Sequence, residues 1–405
     1  MKGILICLVT LASLGSPLVS GSFEEDRLAF LSAIQKRQES SICDGLELLA
    51  RHDQKETAIL FLSHGLPHES LLVHEEALRL ARALESEGAR AAIRNAARNA
   101  RDGSRRLDAL RVIRSWPKAL SRPELLLRLE DRDWIVVAEA VRALRDHQVA
   151  EVVSALVAKM PEVKGRLRED IRDVLKALTG QPLSYDPSAW SIWWREVRDV
   201  WDPTSVPTSI EEQRKSLQTA VKDGLYGEIV SERVIFLLDV SGSMLAETQV
   251  GGSRIEIARK QLQRVIEGGL DPRSRFSMVA FSEGLVRFSD RLLRAKGPVL
   301  KRALAFVAKL KAGGETNTYG ALELAFSDRE VDTIYLLSDG SPTVGKETSA
   351  VLILQSIQNW NRYRGTRIHC IGLFAGDAPN QDEMRAREFL RDLARMNHGR
   401  YTEIR

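Results

Sequence analysis

The stretch Val234-Ile235-Phe236-Leu237-Leu238-Asp239-Val240-Ser241-Gly242-Ser243-Met244 decides how this chain is read. Five consecutive apolar residues, bounded by a charged residue on each side, are too few for a helix and suit a strand buried on both faces. The run stops on a carboxylate. Beyond Asp239 a glycine-containing turn sets two hydroxyls, Ser241 and Ser243, at alternate positions. A buried strand that carries one acid and two alcohols to its own carboxyl end has the layout of a ligand site in an open α/β sheet.

Toward the C-terminus, short apolar runs alternate with helical patterns from Arg233 onward, which predicts a parallel-sheet α/β domain. Strands are expected at 234–238, 276–281, 286–288, 333–338, 367–373 and 401–404. Two further loops join the first. One is Gly313-Gly314-Glu315-Thr316-Asn317-Thr318; the other is Asp339-Gly340, directly after the expected strand 333–338. Asp239, Ser241, Ser243, Thr316 and Asp339 together offer two charged and three neutral oxygens. Mg²⁺ takes six oxygens in a near-octahedral shell and commonly keeps some waters. With so few charged contacts the ion stays electrophilic and can accept a carboxylate from outside. A capped turn alone would account for Asp239-x-Ser241-x-Ser243 but not for the other two loops.

These segments resemble the von Willebrand factor A domain and its metal-ion-dependent adhesion site. The Asp-x-Ser-x-Ser motif is Asp239, Ser241 and Ser243, the loop threonine maps to Thr316 (with Thr318 the second choice), and the last aspartate maps to Asp339. The resemblance covers about residues 231–405, including Leu393-Ala394-Arg395 and Gly399-Arg400-Tyr401 near the end. It implies a doubly wound, Rossmann-like sheet, bound Mg²⁺ or Mn²⁺, and a protein ligand that presents an Asp or Glu. Family members often carry a helix after the last strand, whereas this sequence closes directly after 401–404. A lone helix expected at 209–224, capped by Ser209 with Glu212 three residues on, is assigned to that place.

Before the α/β half, residues 22–200 are Ala-, Leu- and Arg-rich with helical spacing of apolar positions. A triplet of acid, variable and aliphatic residue recurs at Asp44-Gly45-Leu46, Glu76-Ala77-Leu78, Asp108-Ala109-Leu110, Glu139-Ala140-Val141 and Glu169-Asp170-Ile171. The intervals are 32, 32, 31 and 30 residues. A repeat of this length holds two helices that bury their apolar faces only against neighbouring repeats, as in a HEAT-like α-solenoid. Trp190, Trp193 and Trp194 fall on one helical face, between Gly180, which stops one helix, and a linker at 201–230. We read them as a cap on the helical stack rather than as a carbohydrate platform.

The first 21 residues read as an export signal: Lys2, an apolar core at 4–14, then small residues with Val19 and Gly21 placed for cleavage before Ser22. That core is about half the roughly 20 residues that span a bilayer. No later segment is apolar enough to do so. An exported protein (periplasmic, cell-surface or secreted) with no integral span after cleavage is therefore expected. Cys7 would leave with the signal. Cys43 and Cys370 are expected as distant buried thiols, with a disulfide between them as the alternative.

Lys and Arg number 59 against 55 Asp and Glu, an excess of +4 without a basic block, which argues against a nucleic-acid partner. His64, His68 and His74 could suggest zinc, but Gly65 and Pro67 break a shared helical face, so turn histidines are expected. His369 and His398 have core or surface roles by default. No nucleophile–base pair or phosphate-cradling loop is present, so no enzyme is expected. The sequence predicts a metal-dependent binding or adhesion protein. The alternative is an accessory subunit that docks through its A-type domain on a larger enzyme or secretion assembly.

Overall fold

The computed structural model describes residues 21–205, 225–248, 251–374 and 380–404. The expected export segment, all but its last residue, lies outside the described residues, as does the helix expected at 209–224. By compactness the chain divides into two units, one ending at Glu124 and one beginning at Leu125.

The first unit is helical: α1 (Phe23–Lys36), α2 (Glu39–Ala50), α3 (Lys55–Leu60), α4 (Leu71–Arg82), α5 (Glu87–Asn99), α6 (Gly103–Ile113) and α7 (Lys118–Leu127), whose last residues pass into the second unit. Its helix starts are written locally. Ser22 and Glu25 form a capping box, Ser86 accepts from Ala89 N–H, and Asp102 accepts from Ser104 N–H. Phe30, Ile42, Leu46, Leu49, Phe61, Leu66, Val73 and Val112 are fully buried in its core. The recurring triplets fall on alternate helices, and in the three middle copies the Arg three residues after the acid turns back onto it. Glu76 pairs with Arg79 on α4 and Asp108 with Arg111 on α6.

The second unit begins with α8 (Trp134–Leu144), α9 (Ala150–Lys159), α10 (Gly165–Thr179) and α11 (Pro187–Val197), and the triplet on α8 again pairs Glu139 with Arg142. Gly180 ends α10 at φ 72°, a conformation that suits glycine, and the Asp186 side chain caps α11. The tryptophans pack inward. Trp190 is fully buried with its indole N–H on Ser184 O (2.9 Å), and Trp194 donates to Ser154 Oγ on α9 (3.0 Å).

The rest of the second unit is a sheet flanked by helices. Its strands are β1 (Arg233–Asp239), β2 (Arg275–Phe281), β3 (Leu285–Arg287), β4 (Leu293–Arg294), β5 (Thr333–Ser338), β6 (Arg367–Leu373) and β7 (Tyr401–Ile404). Its helices are α12 (Arg254–Arg264), α13 (Gly297–Lys309), α14 (Thr318–Ser327), α15 (Ala350–Asn361) and α16 (Gln381–Met396). The order is β3-β2-β1-β5-β6-β7. All neighbours are parallel except β3, and β4 also pairs antiparallel with β2. The expected strands all form, and only the two-residue β4 was not anticipated.

The sheet is doubly wound, because β1 splits its side chains between two cores. Val234, Phe236 and Leu238 face α12 and α13, while Ile235 and Leu237 face α14, α15 and α16. Phe236, Tyr226 and Tyr335 form a three-ring cluster with each pair of ring centroids 5.5 Å apart. Among the described residues no helix is long and apolar enough to cross a membrane.

Within this unit, α10 is tied to the amino end of β6. Arg367 reaches Glu169 (2.7 Å), Asp170 (2.5 Å) and Asp173 (3.0 Å), and Arg166 also pairs with Asp170. Burial alone would raise the Asp170 carboxyl, but Arg166, Arg367 and Arg142 hold it well below the ordinary range. Among the described residues Cys43 and Cys370 are free thiols; Cys370 is buried as expected, whereas Cys43 is only half-buried.

Candidate metal centre

The chain leaves β1 toward β2 and β3 on one side and later fills β5, β6 and β7 on the other. The strand order therefore reverses between β1 and β5, where open α/β sheets leave a crevice beyond their carboxyl ends. β1 and β5 run in register through Leu238 opposite Leu337. Asp239 ends β1 and Asp339 follows β5, so two acids 100 positions apart in the sequence arrive side by side.

Hydroxyls link them. Ser241 Oγ lies 3.0 Å from Ser243 Oγ, and Ser243 Oγ donates to Asp339 Oδ1 at 2.8 Å. Asp239 accepts the Ser241 N–H on Oδ1 (2.8 Å) and the Ser338 hydroxyl on Oδ2 (2.5 Å). A Cβ added to Gly340 would sit 3.8 Å from both Ser243 Oγ and Thr316 Oγ1, which places the Thr316 hydroxyl at the same focus.

The Thr316 loop is held by backbone bonds. Gly313 N–H donates to Val240 O (2.8 Å), Gly242 N–H to Gly314 O (2.9 Å) and Asn317 N–H to Ser282 O (2.9 Å). Gly314 turns at φ 81°, where a side chain would also collide with the Glu283 carboxylate. Thr316 N–H donates to Thr343 Oγ1 at 2.8 Å. Thr318, the second choice for the loop threonine, instead opens α14, and its buried hydroxyl has no hydrogen-bond partner among the described residues.

The electrostatics are those of an acidic pair out of water. Asp239 is fully buried, and Asp339 and Thr316 nearly so. Burial, then the negative charge of Asp339, pushes the Asp239 carboxyl up to about 7, against the pull of Ser338 and Ser241. Burial also raises Asp339, opposed by Arg254 and Ser243. Two like charges buried together are costly unless a cation shares their surroundings. The donors gathered here are all oxygens, two of them anionic and three hydroxylic. That set fits a hard dication rather than a thiolate- or imidazole-seeking metal. Asp239, Ser241, Ser243, Thr316 and Asp339 are the residues that would hold it.

The sequence reading did not single out Ser338, Arg254, Glu383 or Thr343. Arg254 Nη1 donates to Asp339 Oδ2 at 2.5 Å and Nη2 to Glu383 Oε1 at 2.8 Å. Ser338 had a signal, since it stands immediately before Asp339 at a strand end; the others come from distant segments. The histidines are engaged elsewhere. His68 Nδ1 accepts from Ser70 N–H, and His74 is buried against Leu66 O rather than lying in an exposed turn. His369 stacks on Tyr335 with centroids 4.6 Å apart.

Residues 234–341 match the family model of the von Willebrand factor type A domain. The human von Willebrand factor A domain-containing protein 3A is 29% identical over 211 residues, which is 50% of this chain and 16% of that protein. The human inter-alpha-trypsin inhibitor heavy chain H4 is 33% identical over 140 residues, 32% of this chain and 14% of that protein. The chain thus spans less than a fifth of the length of these relatives. Among solved structures, a von Willebrand factor type A protein from Catenulispora acidiphila is 24% identical, with a TM-score of 0.35, covering 44% of this chain and 39% of that one. Proximal thread matrix protein 1 from the mussel byssus, solved with zinc in its MIDAS motif, is 16% identical with a TM-score of 0.31 and covers 42% of this chain and 41% of that one.

Proposed function

We propose, from the premise that the chain carries a von Willebrand factor type A domain, that it is an exported binding protein rather than an enzyme. Its Mg²⁺ (or Mn²⁺) site, formed by Asp239, Ser241, Ser243, Thr316 and Asp339, recognises an Asp or Glu of a partner protein. The observation that carries this reading is the pair of buried aspartates joined through Ser241 and Ser243, with the Thr316 hydroxyl at the same focus.

When bound, the ion supplies an electrophile with a coordination position open to an outside oxygen. The chain's own residues do the rest. Ser338 and the Ser241 N–H fix both oxygens of Asp239, and Ser243 fixes one oxygen of Asp339. With only two anionic donors, a dication keeps its attraction for a third carboxylate. One such bond gives little affinity, so neighbouring surface must add the remainder. The loops around the site, those of Ser241–Ser243 and Gly313–Thr316, would supply that contact.

The test uses the Mn²⁺-loaded full chain and the relaxation of water protons by the bound ion. Acetate, but not acetamide, should displace metal-bound water and lower the relaxation rate. An equal response to both would overturn the preference for a carboxylate.

A further inference from the structure

Arg254 opens α12, yet its side chain is only 6% exposed. A guanidinium in the first turn of a helix opposes the helix dipole, and burying it sacrifices hydration. Its position is set by carboxylates on two other segments: Asp339 after β5 and Glu383 in the first turn of α16. The Arg254 N–H bonds Ala246 O at 3.0 Å, which fastens the start of α12 to the turn that carries Ser243. Ser253 and Glu256 cap the same turn. Asp339 therefore divides its two oxygens, Oδ1 to the Ser243 hydroxyl and Oδ2 to the guanidinium.

We propose that Arg254 is a resident cation of the metal centre that lowers its affinity for the metal while holding Asp339 in place when metal is absent. The proposal rests on the reading of Asp339 as a metal-site residue. Asp239 and Asp339 alone would present two negative charges to a dication. Arg254 sets a permanent positive charge against the second of them, so the ion meets a less negative site. Glu383 returns a negative charge, but from the far side of the guanidinium. It is also 15% exposed at a helix start, where water and the helix N-terminus weaken its field. A unit charge a few ångströms from a dication at intermediate dielectric changes affinity by about tenfold or more. The same positive charge leaves the bound ion less neutralised, which favours an anionic ligand over a neutral one. Arg254 acts through Asp339 and is a positioning and tuning residue.

The experiment is calorimetric titration of Mg²⁺ into the chelator-treated full chain, with thermal midpoints in chelator and in saturating Mg²⁺. Arg254→Gln should bind Mg²⁺ about tenfold tighter, melt lower than the parent in chelator, and gain more from Mg²⁺. Arg254→Lys, which keeps the charge, should bind Mg²⁺ as the parent does. Glu383→Gln, a milder change that leaves the guanidinium less compensated, should bind Mg²⁺ several-fold more weakly. That variant decides the matter if Arg254→Gln does not fold. Unchanged or weaker Mg²⁺ binding in a folded Arg254→Gln, or unchanged or tighter binding in Glu383→Gln, overturns the proposal while leaving the metal site standing. A parent chain that binds no Mg²⁺ removes both.

Discussion

The Ser243 hydroxyl donates to Asp339 Oδ1 at 2.8 Å across 96 residues of sequence. This contact joins the turn after β1 to the end of β5 and closes the site across the point where the strand order reverses. Each side of it can be tested separately.

Ser338 donates to Asp239 Oδ2 at 2.5 Å from a fully buried position. Ser338→Ala should keep the fold and weaken Mg²⁺ binding by about tenfold, the usual effect of losing a group that orients a ligand. Calorimetry on the chelator-treated variant checks this, and parental affinity would count against the arrangement.

Thr316 and Thr318 are two residues apart but differ in surroundings. Thr316→Ala should lose Mg²⁺ affinity. Thr318→Val removes a buried hydroxyl that has no partner among the described residues, so it should bind Mg²⁺ normally and be neutral or more stable by about 1 kcal/mol. The reverse pattern would reassign the loop threonine.

Arg367 faces Glu169, Asp170 and Asp173 with its side chain 3% exposed. Arg367→Met leaves Glu169 and Asp170 buried without it and should cost about 3–5 kcal/mol in urea unfolding. A loss below about 1 kcal/mol would mean that α10 and β6 are not joined through these charges.

The strands were legible because they depend on local pattern, apolar runs of five to seven residues; the residues proposed to hold a metal were marked by a hydroxyl-bearing turn and an acid at a strand end. The two-residue β4 carries no such pattern. Arg254 and Ser338 escaped notice because their partners lie 85 and 99 residues away, and nothing in the spacing of the chain announces those meetings. The resemblance put Thr316 ahead of Thr318, but which hydroxyl falls beside Gly340 and Ser243 is a matter of loop path rather than sequence. The recurring acids were visible as a period of about 31 residues, but the ion pairs that Glu76, Asp108 and Glu139 make with the Arg three positions on depend on helices being in place.

The most direct test of the account is calorimetric titration of Mg²⁺ into the chelator-treated chain beside its Asp239→Ala variant. The account predicts one Mg²⁺ bound by the parent and none by the variant, with both chains folded. Absent binding in the parent, or equal binding in the two, would contradict it.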